Sequence, residues 1–299
     1  MKKYYKYIVS ILLLFSSCEE EIKLELAGGA KKIVIEGNIE NGKVAEVIIT
    51  RNSPLSQVID FSSILIKNAK VYVSDGIITD TLHLDTLLTT SIPFVYTGSK
   101  IKGKVGVMYQ LTVIVDADTY TASTVIPSPI ALDSVWWKPQ PPEDTLGYAW
   151  GHLTDPKGLG NAYRWFAKRP LKTRIMNGQI VILNRRYLAP IGSTFDDKFI
   201  DGKSFDIFYN RSYDPTETLI SENESQNERN LYKKSDTIYI KFCTINNETA
   251  KFYTTYEAAI SSNGNPFASP STIIGNLQGG ALGIWAGYGA TYDTIMPRP

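Results

Sequence analysis

The sequence predicts a mainly β protein, in which an N-terminal Ig-like or transthyretin-like β-sandwich precedes a β-rich second domain with one conspicuous helix. Short segments in which apolar and polar residues alternate, such as 109–115, are typical of strands with one buried face. Turn sequences such as Asn41-Gly42 separate these segments, and a two-residue turn there would place Ile35 opposite Ile48. Helical periodicity is clear in one stretch, near 247–262.

The chain divides into four parts at the level of sequence. We expect a lipoprotein signal peptide at 1–17, a lipidated acidic tether at 18–31, the sandwich at 32–128, and the β-rich C-terminal domain at 129–299 with its helix near 247–262. Pro127 and Pro129 mark the boundary between the two domains, because proline cannot donate a hydrogen bond to a strand ladder. The mature chain is long enough to bury a sizeable core.

The first residues have the form of a secretory signal. A lysine-rich start, an apolar run at 7–15 and two serines precede Cys18. The apolar run is shorter than the roughly 20 residues that a transmembrane helix needs. The residues before Cys18 resemble a lipobox, so we predict cleavage before Cys18 and lipidation of this residue, with ordinary secretion of a free cysteine as the alternative. Several acyl chains on one residue give stable membrane anchoring.

An acidic run follows the cysteine directly. Glu19, Glu20 and Glu21 resemble the surface-export signal of Bacteroidetes lipoproteins, and a solvated tether is the alternative interpretation. We therefore expect a protein that is lipid-anchored in the outer membrane and faces the cell exterior.

Charge and cysteine content argue against two classes of protein. The formal net charge is +1, which gives no basic excess for a nucleic-acid partner. If Cys18 carries lipid, Cys243 has no partner for an intrachain disulfide. Its position in a strand-like apolar segment is more typical of a buried residue than of a nucleophile.

Catalytic and metal-binding residues are not indicated by the sequence. The two histidines, His83 and His152, are isolated, and no Gly-x-Ser-x-Gly motif is present. Asp196, Asp197 and Asp201 suggest calcium, but their spacing differs from that of an EF-hand loop, so we interpret them as a solvated acidic turn. A pair of carboxylates that meets only in space stays an open alternative. We expect no enzyme, no cofactor and no metal.

The C-terminal segment 275–289 is rich in glycine. No Gly-Lys-Ser/Thr sequence follows its glycines, so it does not match a P-loop. We expect a tight turn, in which Gly279 and Gly280 adopt conformations closed to other residues, and then a closely packed final strand. Phe267, which precedes the segment, is expected to anchor the turn in the second core.

Aromatic residues are the best candidates for a binding surface, and the ligand would be a peptide or a glycan. The candidates are Trp136, Trp137, Trp285 and Phe267. Neighbouring residues in a strand point to opposite faces, so at most one of Trp136 and Trp137 can lie in the sandwich core. Packing in a core is the competing role for each of them, because an indole buries a large apolar area.

Several segments together resemble a known family. They are 33–37, 109–113, 120–127, 195–197 with Gly202, 265–267 and 275–283. The combination resembles the Bacteroidetes outer-membrane lipoproteins grouped as domain-of-unknown-function family 4249, and it extends over essentially the whole mature chain. The resemblance implies a surface lipoprotein that accompanies a TonB-dependent transporter. It carries over no catalytic residue, because none is established for the family.

Three functions remain as expectations. The first is a non-enzymatic accessory of a TonB-dependent nutrient transporter, which captures ligand or covers the barrel. The second is a structural or adhesive surface protein without a transporter. The third is a surface hydrolase.

The first prediction concerns the anchor. Cys18→Ala should release the protein from membranes and abolish labelling with radioactive fatty acid, because the acylated sulfur and amine are lost. Cys243→Ala is the matched control and should keep both the label and the membrane association. A wild-type protein that stays on membranes without taking up label would contradict the lipoprotein interpretation.

Overall fold

The fold is built mainly from β-strands, as predicted. The structure is a computed structural model that describes residues 31–53, 61–85, 95–176, 179–184, 186–212, 226–262 and 272–296, within the compact unit Lys31–Pro299. The strands are β1 Ile33–Glu40, β2 Val44–Arg51, β3 Lys70–Ser74, β4 Thr79–Asp85, β5 Val95–Lys102, β6 Met108–Val115, β7 Asp118–Val125, β8 Ser134–Pro139, β9 Leu146–Thr154, β10 Ala162–Lys168, β11 Lys172–Met176, β12 Gln179–Leu183, β13 Thr194–Asp196, β14 Ser204–Tyr209, β15 Tyr232–Lys233, β16 Ile238–Ile245 and β17 Leu282–Ile295. The helices are α1 Phe61–Ile64, α2 Gln226–Asn230 and α3 Asn247–Ser262.

One large sheet extends through both halves of the chain. Its strand order is β13-β10-β16-β17-β1-β2-β5-β4-β3-β6-β7. A smaller sheet has β9 at its centre, with β8 on one side and β14 and β15 on the other. Strands β11 and β12 form a separate hairpin.

Strands β1 to β7 enclose the first hydrophobic core, and their residues alternate between buried and exposed as strand geometry requires. The hairpin between β1 and β2 corrects the predicted register, because Ile35 lies opposite Ile49 and not Ile48. Three residues join the strands instead of two, with Gly42 at φ +78° and the Lys43 amide donating to the Glu40 carbonyl at 3.0 Å. The additional loop residue places Ile35 and Ile49 on the same buried face.

The last strand, β17, joins the two halves. It pairs in parallel with β1 through residues 282–288 and antiparallel with β16 through residues 289–295. Trp285 points into the first core, is 0% exposed, and donates from Nε1 to the Tyr109 carbonyl at 3.0 Å. The residues on either side, Ile284 and Ala286, point into a different core beneath α3. A strand buried on both faces is typical of the interior of a sheet.

Glycine provides the space that this arrangement needs. A Cβ atom at Gly37, which pairs with Trp285, would lie 2.8 Å from the indole Cε3 atom. A Cβ atom at Gly287 would lie 2.4 Å from the Val125 carbonyl oxygen, because the end of β7 passes directly over β17. The prediction that small residues here allow a close backbone approach is confirmed. Gly279 and Gly280 both have φ +86°, as expected of the turn before the strand.

The second half of the chain packs in three layers. Helix α3 covers one face of β10, β16 and β17, where Tyr253 and Tyr288 share a hydrogen bond of 2.8 Å between their hydroxyl groups. The small sheet covers the opposite face, where Trp165 and Tyr209 have ring centroids 5.5 Å apart. The part of the large sheet formed by β10, β16 and β17 is therefore buried on both sides. The small sheet has one face turned away from the cores.

The predicted helix is confirmed as α3. The Asn246 side chain accepts a hydrogen bond from the Thr249 amide at 2.8 Å, so Asn246 is the N-terminal cap. The buried face is Thr249, Ala250, Phe252 and Tyr253. Tyr256 and Ile260, which the periodicity places on the same face as Tyr253, are more than 40% exposed, so the buried apolar face is confined to the first half of the helix.

A buried carboxylate connects the end of β1 to β16 and β17. Glu40 is 3% exposed, its Oε2 atom lies 3.3 Å from the Lys241 ammonium, and it accepts a hydrogen bond from the Tyr292 hydroxyl. Burial by itself raises the pKa of Glu40. The Lys241 charge and the hydrogen bonds from Tyr292 and Lys43 outweigh that effect and hold the pKa below its ordinary value.

The second prediction concerns the shared strand. Trp285→Ala should lower the free energy of unfolding by about 3–5 kcal/mol, because it leaves a cavity in the first core and an unpaired Tyr109 carbonyl. Trp136→Ala is the control, since it removes a partly exposed indole and should cost roughly 1 kcal/mol. Urea denaturation of both variants measures the difference, and equal losses would contradict the central role of Trp285.

The third prediction concerns acid stability. The folded pKa of Glu40 lies below its ordinary value of 4.5, so its contribution to stability is present above that pH and is lost as the pH falls through the folded pKa. Glu40→Gln should therefore cost about 1–3 kcal/mol at neutral pH and reduce the loss of stability on acidification. Denaturation midpoints measured at neutral pH and at several values below 4.5 test this. Parallel pH profiles for wild type and variant would contradict it.

Candidate functional site

The outer face of the small sheet carries the candidate site. Along β9, Ala149, Gly151 and Leu153 point toward the second core, where Ala149 and Leu153 are 0% exposed. Tyr148 and Trp150 therefore point to the opposite side, as alternation in a strand requires. Strands β8 and β14 flank β9 and show the same alternation.

Three aromatic side chains form a row across these strands. Trp150 lies directly opposite Trp136 of β8 and Phe208 of β14 in the strand register. The Trp136 and Trp150 ring centroids are 6.0 Å apart with an interplanar angle of 21°, and those of Trp150 and Phe208 are 4.6 Å apart at 25°. Phe208 is 49% exposed, and the two tryptophans are partly buried. Trp136, Trp150 and Phe208 are called the aromatic row below.

Polar side chains border the aromatic row on both sides. On one side Ser134, His152 and Asp206 occupy the next outward positions of the three strands, and His152 Nδ1 lies 2.6 Å from Asp206 Oδ1. On the other side, Lys138 Nζ lies 5.0 Å from the centroid of the Trp150 ring, a cation–π distance. Tyr148 contacts Phe208 with ring centroids 5.1 Å apart.

The structure separates the predicted site residues. Trp136 belongs to the aromatic row, whereas Trp137 points inward and donates from Nε1 to the Tyr232 carbonyl at 3.1 Å. Trp285 is a core residue and not a surface residue, because the first sandwich closes around its indole. Phe267 lies outside the described residues, as do Cys18 and the acidic residues Glu19, Glu20 and Glu21.

Sequence reasoning missed Phe208 and Tyr148 and left Trp150 out of the candidate surface. The signal that was present is the alternation of large and small residues along β9, Tyr148-Ala149-Trp150-Gly151. Small residues on the inward side indicate close packing there: a Cβ atom at Gly151 would lie 3.1 Å from Trp165. The large residues must then lie on the other face.

An acidic cluster lies elsewhere in the second half. Carboxylate oxygens of Asp155, Asp197 and Asp201 all lie within 4.8 Å of one another, and Asp155 and Asp197 are buried. Asp196 does not belong to this cluster, whereas Asp155 does. The cluster therefore differs by one residue from the predicted set of Asp196, Asp197 and Asp201. Nearby donors stabilise the carboxylates: the Gly160 and Asn161 amides donate to Asp197 at 2.8 and 2.7 Å. The Tyr163 hydroxyl donates to Asp155.

Cys243 is free and fully buried between β10 and β17. Burial raises the pKa of its thiol to about 12, so the nucleophilic thiolate form is suppressed at neutral pH. In the part of the chain that the structure describes, no helix is both long and apolar enough to cross a membrane.

A family model matches residues 19–293. The chain belongs to the family described as Domain of unknown function (DUF4249). The family predicted from the sequence motifs is thereby confirmed. No curated protein matches the sequence.

One solved structure that matches is a trypsin-activated alpha-2-macroglobulin from Escherichia coli. The match has 11% identity and a TM-score of 0.20, and it covers 90% of this chain and 16% of the other chain. This chain therefore spans about one sixth of the length of that protein.

Proposed function

We propose that this protein is a lipid-anchored protein of the outer membrane that faces the cell exterior and binds a ligand for a TonB-dependent transporter, without acting as an enzyme. The aromatic row carries the proposal. Soluble proteins usually bury aromatic side chains, and partly exposed aromatics clustered on one face are typical of binding surfaces. The signal segment, with its cysteine and acidic run, supports the location.

The resemblance to outer-membrane lipoproteins supports a TonB-dependent transporter as the proposed partner. The sequence resembles lipoproteins that accompany such transporters, over nearly the whole mature chain. An accessory of this kind needs a stable scaffold and a surface that contacts the ligand. The three packed layers of the second half provide the scaffold, because Trp137 and Leu153 fix the small sheet from its inner side.

A surface hydrolase is the second candidate, and one observation favours it. Ser134, His152 and Asp206 occupy neighbouring positions in one cross-strand row, with the imidazole and carboxylate 2.6 Å apart. Between the two described residues Ser134 and His152, however, no hydrogen bond is present, and a nucleophile and its base must come within hydrogen-bond reach. Hydrolysis of p-nitrophenyl acetate that Ser134→Ala abolishes would favour this candidate.

The fourth prediction concerns the partner. An affinity-tagged protein, purified from detergent-solubilised outer membranes of the source bacterium, should bring a TonB-dependent transporter with it. Cys18→Ala is the control for location, because a protein without its anchor should retrieve less transporter. Mass spectrometry of the purified material identifies the partner.

Retrieval of intact lipidated protein without any transporter, from cells that express such transporters, would contradict the accessory role. That result would favour a structural or adhesive surface protein. Protease treatment of whole cells tests the location separately, since a protein that faces the periplasm should stay undigested.

A further inference from the structure

The aromatic row runs across the strands and not along them. Neighbouring strands in a sheet lie about 4.8 Å apart, so a row over three strands extends for about 10 Å. The next outward positions on one side are polar, with Ser134, His152 and Asp206. On the other side Lys138 is polar, and the Tyr148 ring widens the apolar surface beside Phe208. A ligand that follows the row must therefore cross the sheet with an apolar face toward the rings, polar groups toward Ser134 and Asp206 on one side, and a polar group toward Lys138 on the other.

The polar side chains beside the aromatic row can form hydrogen bonds with hydroxyl groups of a ligand. Asp206 accepts hydrogen bonds, the Lys138 ammonium donates them, and Ser134 does both. Lys138 and Asp206 have opposite charges, so the borders favour neither an anionic nor a cationic ligand. Lys138 is already placed over the Trp150 ring at 5.0 Å, and His152 already holds Asp206 at 2.6 Å. These contacts restrict the side chains before a ligand arrives, which lowers the entropy cost of binding.

Other occupants match this pattern less well. A peptide that adds to a sheet binds along an edge strand, parallel to the strands, whereas the row crosses them. The core of a protein interface is depleted of charged residues, whereas Lys138 and Asp206 lie one outward position from the row. An anionic lipid surface attracts clusters of lysine and arginine, whereas here one lysine is balanced by one aspartate.

We propose that the aromatic row is a carbohydrate-binding surface that takes a neutral oligosaccharide chain. The C–H faces of the sugar rings would lie against Trp136, Trp150 and Phe208. Their hydroxyl groups would bond to Ser134, Asp206 and Lys138. The inference names the ligand class for the function proposed above and rests on it.

The test is a binding titration with named probes. The lipidated protein is purified in a detergent without a sugar headgroup, such as lauryldimethylamine oxide, because a maltoside would compete. Tryptophan fluorescence and calorimetry then follow the addition of hexasaccharides of cellulose, starch, xylan, mannan, chitin and β-1,3-glucan. We expect at least one of them to bind with a Kd of about 1 mM or tighter. The affinity should be insensitive to salt, because the ligand is neutral.

Variants assign the binding to the row. Trp136→Ala with Phe208→Ala should weaken binding at least about tenfold, since two of the three ring contacts are lost. Phe199→Ala is the matched control, because Phe199 is 80% exposed and lies outside the row. Asp206→Asn should weaken binding by a few-fold. Thermal unfolding of each variant confirms that it is folded.

Two outcomes would overturn the inference: folded wild-type protein that binds none of the six hexasaccharides, or binding that the double variant retains. The transporter retrieval separates this failure from that of the proposed function. Wild-type protein that retrieves the transporter but binds none of the six hexasaccharides would leave the accessory role in place and overturn the carbohydrate inference.

Discussion

The fold depends on the insertion of β17 between β1 and β16. This strand is buried on both faces, and its Trp285 closes the first core while Ile284 and Ala286 contribute to the core beneath α3. Two strands separated by most of the sequence thereby become neighbours in a parallel pair. Bringing the two ends of the chain together costs conformational entropy, and the burial of the indole and of both strand faces offsets that cost.

The position of the candidate site follows from this arrangement. Since β10, β16 and β17 present apolar side chains on both faces, each face must be covered. Helix α3 covers one face and the small sheet covers the other. The small sheet is thin, so alternation in its strands leaves every second side chain on the outside. The outward side chains of the small sheet are held rigidly, because the residues before and after each of them in the chain are packed in the core.

Sequence alone predicts the parts of this structure that depend on nearby residues. Alternation at 109–115 marks β6, and the helical periodicity near 247–262 marks α3. The sequence alone does not predict the role of Trp285, because the pairing between β1 and β17 produces no pattern among residues that are close in the sequence. The aromatic row was missed for the same reason, since its members lie on three strands that only the fold brings together. The error of one residue at Ile35 arose because Asn41-Gly42 fits both a two-residue and a three-residue loop.

The exposure of the aromatic row affects how quickly the proposed accessory would release its ligand. In the described part of the chain the aromatic row lies on a flat sheet face, and its outermost ring, Phe208, is about half exposed. Such a surface contacts a ligand from one side only, so it gains less binding free energy than an enclosed pocket. Differences in affinity appear mainly in the dissociation rate, so a weakly held ligand leaves quickly. Fast release suits a protein that passes its ligand to a transporter, whereas an enclosed site would retain it.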